Sequence, residues 1–309
     1  RLYSLTLIQQ QFRDSSMDTF QGKTAIISGG AEGIGLAIAH AVGGRGMNVV
    51  IADINPDQLA LAEAELTQAG IPVLATHLDV ADLGQWQDVA RQATNRFGKV
   101  HMVVNNAGVG GSGGTIEETN PKTWQWVLDV NLMGVVYGTQ VTVPLIKSHG
   151  EGGWVVNVAS MAGFGPLPLA APYTATKAAV VAMTECWSLE LAPEGIHTCV
   201  LCPGFTQTRI NLSERNKHAR YASGTGAGNG AGRQLDGVLK RVVEEGMPSS
   251  VVAERVIEAL ESKEMYVFTH PSYRALAQVR FNAAGAAFDR AAESPVLAEY
   301  VDFPLPDFN

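Results

Sequence analysis

Tyr173 and Lys177 lie four residues apart in a segment that begins a predicted helix, with Pro172 suited to its first turn. Side chains at helix positions i and i+4 share one face, so the phenol and the ammonium are neighbours. An unperturbed tyrosine has a pKa of about 10. A cation about 4 Å away, at an effective dielectric constant of about 20, lowers that pKa by roughly three units. The pair therefore suits acid–base chemistry, although the same spacing also occurs in solvated pairs on helix surfaces.

Polar residues and glycines directly follow four predicted strands. Ser160 ends the apolar run 155–159, and the segments 105–108 (Asn-Asn-Ala-Gly) and 79–80 (Asp-Val) follow two other strands. The glycine-rich turn 28–35 follows the first strand. In a parallel sheet the carboxyl ends of the strands meet at one edge, where ligands bind. We therefore expect these groups to share one crevice.

The turn 28–35 reads Ser-Gly-Gly-Ala-Glu-Gly-Ile-Gly and lies between a strand and a predicted helix. Such a turn lets the backbone approach a pyrophosphate at the positive helix N-terminus. Asp53 ends the second strand, about 20 residues further on, where an acid binds the adenosine ribose hydroxyls. Its charge would repel the 2′-phosphate of NADP, and the turn offers no Arg or Lys to receive one. We therefore predict NAD, with a helix cap before Pro56 or a solvated strand end as the alternative roles of Asp53.

Short apolar strands alternate with helical segments along most of the chain. We predict strands at 24–28, 48–52, 72–77, 100–104, 154–159, 196–201 and 265–268, and helices at 33–42, 56–68, 83–97 and 173–191. Strands rich in Val and Ile without polar alternation are buried on both faces. Repeated strand–helix units predict a doubly wound α/β fold, a parallel sheet with helices on both faces.

These motifs resemble those of the short-chain dehydrogenase/reductase family in type, order and approximate spacing, over about residues 20–268. They are the glycine turn, Asp79-Val80, the Asn105 to Gly108 segment, Asn131, Ser160, Tyr173 with Lys177, and Pro203-Gly204. The resemblance implies one Rossmann-type domain with seven parallel strands, in a dimer or tetramer built on two long helices. Ser28 stands where the family commonly has threonine, and its hydroxyl can make the same hydrogen bond.

The resemblance also implies roles for four side chains. Tyr173 would be the general acid/base, and Lys177 would hold the cofactor ribose and lower the pKa of the tyrosine. Ser160 would hydrogen-bond the substrate oxygen. Asn131 would hold a water that links Lys177 to solvent. The nicotinamide of NAD carries the hydride, and no metal is needed.

The remaining implied contacts are to the cofactor, with Asp79 and Val80 at the adenine and Thr208 at the nicotinamide carboxamide. The predicted cofactor-binding set is Ser28, Gly29, Gly33, Ile34, Gly35, Asp53, Asp79, Val80, Asn106, Ala107, Gly108, Tyr173, Lys177, Pro203, Gly204 and Thr208.

The substrate is predicted from the segments after the catalytic serine and after Pro203-Gly204. Residues 161–169 are apolar and offer no clamp for a carboxylate or phosphate. We therefore expect a hydrophobic secondary alcohol or ketone, with cyclic and aromatic compounds included. The C-terminal part, with its long segment after Pro203-Gly204 and the run 266–271, resembles that of dehydrogenases that act on lignin-derived aryl alcohols. Alternatives are a cis-dihydrodiol dehydrogenase and, in another class, a regulator that senses NAD(H) without turnover.

The composition argues against several other classes of protein. The 309 residues carry a formal net charge of −8, which disfavours a general nucleic-acid binder, and no apolar stretch is long enough to span a bilayer. Three cysteines cannot form a fully paired framework. Residues three apart on a strand face opposite sides, so Cys199 and Cys202 would not share a metal. We predict buried free thiols and a cytoplasmic protein.

We expect residues 1–16 to be an extension or expression remnant and residues 17–270 to form the single catalytic domain. That domain would include a partly helical substrate lid at about 209–247, whose glycine-rich run 223–232 fits either a hinge or a disordered surface loop. Residues 271–309 would form a helix and tail. The apolar side chains of the tail should pack on the same subunit or a neighbouring one, namely Tyr300, Phe303, Leu305 and Phe308.

Overall fold

A computed structural model describes residues 19–111, 113–222, 237–238 and 240–304. Its seven strands form one parallel sheet in the order β3-β2-β1-β4-β5-β6-β7. They are β1 (Thr24–Ser28), β2 (Asn48–Asp53), β3 (Val73–His77), β4 (Met102–Asn105), β5 (Gly153–Val158), β6 (Ile196–Cys202) and β7 (Tyr266–Phe268). The predicted doubly wound parallel sheet is confirmed.

Helices cover both faces of the sheet. They are α1 (Gly33–Gly43), α2 (Pro56–Gln68), α3 (Leu83–Phe97), α4 (Pro121–Leu128), α5 (Gly134–His149), α6 (Ala171–Leu191), α7 (Ser249–Glu261) and α8 (Arg274–Ala292). The core on one face is built with α1, α2 and α7, and the core on the other with α3 to α6. A π-helical turn, Asp129–Met133, joins α4 to α5.

Local sequence explains where these helices start. The Asn55 side chain accepts a hydrogen bond from the Gln58 N–H and caps α2, so Asp53 is not the cap of that helix. Asp82 caps α3 in the same way. The helix that carries the catalytic candidates begins at Ala171, two residues earlier than predicted, because Pro172 fits its first turn.

The strand cysteines are placed as predicted, while the third is not. Cys199 is buried in the core on one face of the sheet and Cys202 in the core on the other. Cys186 is exposed on α6, so the expectation of a buried thiol is wrong there. The three thiols are free.

Two other predicted regions are partly described. The segment after β6 forms short 3-10 helices at Ile210–Asn216 and Ala219–Tyr221, followed by helical residues at 240–244. The glycine-rich run 223–232 and the extension 1–16 lie outside the described residues, as do Leu305 and Phe308. Tyr300 and Phe303 are exposed, so these two side chains do not pack on the described residues of the chain.

A buried ladder of amides and hydroxyls ties the centre of the sheet to α5 and α6. Asn105 Nδ2 donates to Thr139 Oγ1 at 3.0 Å and to Asn157 Oδ1 at 2.8 Å. Asn157 Nδ2 donates in turn to Thr184 Oγ1 at 3.0 Å. Gly138 lets α5 approach this ladder, since a Cβ there would lie 2.1 Å from Asn105 Oδ1.

We expect Gly138→Ala to lower the free energy of unfolding by about 1–3 kcal/mol, the usual cost of forcing an atom into a packed core. The matched control is Gly285→Ala on the exposed part of α8, where an added Cβ meets nothing within 4 Å. That change should raise stability by about 0.5–1 kcal/mol through helix propensity. Denaturant unfolding of both variants checks the prediction, and equal effects would contradict it.

Candidate active site

A cavity of about 910 Å³ opens at the carboxyl edge of the sheet. Most of the predicted site residues line it, namely Gly29, Gly33, Ile34, Asp53, Asp79, Val80, Asn106, Ala107, Gly108, Ser160, Tyr173, Lys177, Pro203, Gly204 and Thr208. Ser28, Gly35 and Asn131 lie behind this lining and support it. Convergence of strand ends thus brings together residues spread over 180 positions, Ser28 to Thr208.

Lys177 is almost fully buried beneath Tyr173. Its Nζ lies 5.6 Å from the centroid of the Tyr173 ring and donates a 2.7 Å hydrogen bond to the Val158 carbonyl at the end of β5. Burial lowers the pKa of Lys177 to about 8, because a buried ammonium loses its hydration. The i, i+4 spacing thus places the two groups on one face of α6, as predicted.

The pKa of Tyr173 differs from the expectation. Burial raises it, and a hydrogen bond with the Ser160 hydroxyl opposes that rise. Desolvation of the phenol is the largest effect and disfavours the phenolate, so the direction is opposite to the lowering expected from the neighbouring ammonium. The sequence estimate gave the wrong direction because it counted only the attraction to the ammonium and left out the cost of removing the phenolate from water.

Ser160 lies two residues after the end of β5 and lines the cavity. Its Oγ accepts the Ala162 N–H at 3.1 Å and thereby caps the 3-10 turn Met161–Gly163. A serine hydroxyl has one hydrogen to donate, and that hydrogen stays available for Tyr173 or a substrate oxygen.

Asn131 is completely buried in the π-helical turn. Its Oδ1 accepts the Val109 N–H at 2.8 Å, and its Nδ2 donates to the Val109 carbonyl at 2.9 Å. These bonds hold the backbone that follows Gly108, whose missing Cβ would lie 3.4 Å from Asn131 Oδ1 and 3.5 Å from Lys177 Nζ. Asn131 therefore lies close to Lys177, and its side-chain amide supports the cavity wall.

The glycine turn 28–35 forms a concave surface, called the glycine cradle, that side chains at its glycines would fill. Gly33 has a φ of +55° and packs against Thr208, so a Cβ there would be both strained and crowded. A Cβ on Gly35 would lie 2.1 Å from the Gly29 carbonyl oxygen. The turn opens α1, whose N-terminus carries partial positive charge. This geometry fits the pyrophosphate of a dinucleotide.

Asp53 stands beside the cradle at the end of β2. Its carboxylate accepts the Ala31 N–H at 3.2 Å and the Asn55 N–H at 3.0 Å. Burial raises the pKa of Asp53, and these backbone hydrogen bonds oppose the rise. The carboxylate is thus fixed where it can meet ribose hydroxyls.

Three arginines reach this region from the segment after β6, and none was predicted from the sequence. Arg209 and Arg215 both pair with Glu32 of the glycine turn. Arg220 Nη2 donates to Asp79 Oδ2 at 2.9 Å, at the position predicted to meet the adenine. The partners lie more than 140 positions apart, and no local motif signals such pairs.

His270 is a further residue that the sequence did not single out for a role. Its Nδ1 accepts the Gly204 N–H at 3.2 Å, and its Nε2 donates to the Phe205 carbonyl at 3.2 Å. The Phe205 carbonyl also accepts the Met247 N–H at 3.0 Å, which closes the base of the 205–247 segment. The only signal in the sequence was the run 266–271. His270 positions the Pro203-Gly204 turn.

Apolar side chains form part of the cavity lining, and this part is called the apolar wall. It includes Trp126, Met161, Leu167, Leu212, Val243, Leu276 and Val279. The last two come from α8, whose Arg280 donates a 2.9 Å hydrogen bond to the Gly163 carbonyl. The C-terminal helix is thus anchored to the segment that follows Ser160.

A histidine cluster lies at the opposite edge of the sheet. Ring nitrogens of His101 and His149 and a carboxylate oxygen of Glu151 lie within 4.8 Å of one another. The Nδ1 atoms of both rings accept backbone N–H groups, from Thr24 and Glu151 respectively. Each Nε2 therefore carries hydrogen and donates, so no lone pair is left for a metal ion.

Among the described helices, none has the length and apolar character to cross a membrane.

The lowered pKa of Lys177 predicts a pH-dependent contribution to stability. Between pH of about 8 and 10.5 the folded Lys177 has lost its proton while the unfolded one keeps it, so raising the pH favours the folded state. The unfolding free energy of the wild type should therefore gain up to about 3 kcal/mol relative to Lys177→Met across this range. Urea unfolding at several pH values tests this, with exposed Lys122→Met as the control. Parallel pH profiles for wild type and Lys177→Met would contradict it.

Comparisons with known proteins agree with this geometry. The short chain dehydrogenase family model matches residues 23–219. The CLA biosynthesis dehydrogenase/reductase of Lactiplantibacillus plantarum is 34% identical, over 85% of this chain and 93% of that protein. A 3-alpha-(or 20-beta)-hydroxysteroid dehydrogenase of Mycobacterium tuberculosis is 39% identical, over 60% of this chain and 70% of that protein. A Burkholderia phymatum short chain dehydrogenase/reductase, solved in complex with NAD, is 34% identical with a TM-score of 0.85, over 88% of this chain and 97% of its own. The chain therefore belongs to the short-chain dehydrogenase/reductase family, as its motifs predict.

Proposed function

We propose that the protein is an NAD-dependent dehydrogenase that interconverts a hydrophobic secondary alcohol and its ketone. The observation that carries the proposal is the meeting of Ser160, Tyr173 and Lys177 in one cavity with the glycine cradle. An oxidoreductase acting on an alcohol or ketone is what membership of the family implies. A regulator that only senses NAD(H) would need the cradle but not the three side chains.

The proposed mechanism assigns proton transfer to Tyr173. When bound, the nicotinamide of NAD supplies the hydride chemistry. The Ser160 hydroxyl donates its hydrogen to the substrate oxygen and so orients the reacting carbon. In ketone reduction Tyr173 gives its proton to that oxygen, and in alcohol oxidation the phenolate takes the hydroxyl proton. Lys177 supplies positive charge beneath the phenol, and because its ammonium is almost fully buried the local dielectric constant is low and the interaction is strong.

The selection of NAD rests on the adenosine end of the cradle. Asp53 fits the ribose hydroxyls through its two carboxylate oxygens and would repel a 2′-phosphate. A structural neighbour of the chain was solved with NAD, which supports the same cofactor here.

The substrate class rests on the apolar wall formed by the Ser160 segment and α8. Such a wall binds hydrocarbon by removing it from water. The Mycobacterium tuberculosis relative carries a hydroxysteroid in its name, a compound of this apolar kind. A cis-dihydrodiol would use the same side chains, and a substrate comparison separates the two.

We further propose that the protein is a homodimer or homotetramer, since apolar side chains on α8 and the tail are exposed in the single chain. A cytoplasmic location is a separate proposal.

Tyr173→Phe should lower kcat by about 100-fold or more while the Kd for NADH stays within about twofold, because only the proton-transfer group is removed. Tyr300→Phe, in the exposed tail, is the matched control and should retain wild-type turnover. NADH formation at 340 nm and NADH fluorescence titration give the two quantities. Full activity in Tyr173→Phe would disprove the role of the phenol, and no turnover in the wild type with NADH bound would favour the regulator.

Across a homologous series of secondary alcohols, kcat/KM should rise about threefold to fourfold with each added methylene until the wall is covered. The reason is that burying one CH₂ contributes about 0.8 kcal/mol. Initial rates with NAD, with small sugars as polar controls, measure this slope. A flat series, or a preference for sugars, would exclude a hydrophobic substrate.

A further inference from the structure

Glu32 of the glycine turn is held by two guanidinium groups from the segment that follows β6. Arg209 Nη1 lies 2.9 Å from Glu32 Oε1, and Arg215 Nη2 bonds Glu32 Oε2. The Glu32 side chain is 20% exposed, whereas the side chains of Arg209 and Arg215 are 56% and 32% exposed, so the carboxylate is the more buried partner in both pairs. All three residues line the cavity that contains the cradle. The glycine turn itself contains no Arg or Lys, as the sequence analysis states, but the segment after β6 brings two arginines to it.

The Asp53 carboxylate lies on the other side of the same turn. Asp53 Oδ2 accepts the N–H of Ala31, the residue before Glu32. The Glu32 charge also contributes to the raised pKa of Asp53, after the larger effect of burial, so the two carboxylates interact electrostatically. At this end of the cradle, two carboxylates balance two guanidinium groups.

Arginine is well suited to phosphate because its planar fork donates two parallel hydrogen bonds to an anionic oxygen pair. In this protein Glu32 already accepts from Arg209 and Arg215. A 2′-phosphate entering beside Asp53 would have to compete with the Glu32 carboxylate for both guanidinium groups. Loss of the Glu32 charge would leave a net positive charge and two unpaired guanidinium groups near the adenosine ribose.

We propose that Glu32 is a second determinant of the preference for NAD over NADP, acting by holding Arg209 and Arg215 away from a 2′-phosphate. This inference rests on the proposed NAD-dependent function. It differs from the role of Asp53, which acts by direct repulsion. Glu32 acts by keeping two potential phosphate ligands occupied.

The test is the affinity of Glu32→Gln for NADPH and for NADH, measured by fluorescence titration at fixed ionic strength. Glutamine keeps the shape of the side chain and removes the charge. NADPH should bind about tenfold more tightly than to the wild type, the gain expected of a charge-assisted hydrogen bond, and NADH affinity should change by less than about threefold. Because the new contact is ionic, the gain should shrink at high salt.

The triple variant Glu32→Gln, Arg209→Gln and Arg215→Gln should return NADPH affinity to the wild-type level, since the two guanidinium groups that would bind the 2′-phosphate are then absent. The matched control is Glu65→Gln, which removes a surface carboxylate that pairs with His40 and should change neither affinity. The inference is overturned if Glu32→Gln leaves NADPH affinity unchanged, or if the triple variant keeps the gain. Wild-type protein that binds neither NADH nor NADPH would instead overturn the proposed function itself.

Discussion

The hydrogen bond from Lys177 to the Val158 carbonyl joins the helix that carries Tyr173 to the end of strand β5. An ammonium with almost no exposure to solvent needs such a partner, because its hydration is lost on burial. Ser160 lies two residues after this strand end, so the bond ties the ammonium to the segment that carries the hydroxyl. The ladder through Asn105 and Asn157 also links α6 to β5, and it extends to β4 and α5.

Burial has opposite effects on the two titrating groups of the site. It raises the pKa of Tyr173 and lowers that of Lys177 to about 8, so burial disfavours the charged form of each group. Any additional positive charge brought near the phenol then has a large effect, because the local dielectric constant is low. The adenosine end is more exposed, and there the Glu32 carboxylate pairs with two arginines at the edge of the cavity.

The sheet and the main site residues could be predicted because they depend on local patterns. Buried parallel strands are apolar runs, and each run is followed by the residues that its strand end must present, as Ser160 follows β5. What could not be predicted depends on contacts between distant segments. Glu32 and Arg209 lie 177 positions apart, and His270 reaches Gly204 across 66 positions. The direction in which the pKa of Tyr173 changes was predicted wrongly for a related reason. That direction depends on burial of the phenol by residues from many elements. The exposure of Tyr300 and Phe303 likewise depends on packing partners that the local sequence does not specify.

The central claim is that the cavity transfers a hydride directly between a secondary alcohol and the nicotinamide of NAD. The most direct test uses an apolar secondary alcohol with deuterium on the carbinol carbon, followed by mass spectrometry of the reduced cofactor. Our account predicts that the NADH formed carries one deuterium in its nicotinamide ring. NADH without the label, or no NADH from any alcohol of an apolar series, would contradict it.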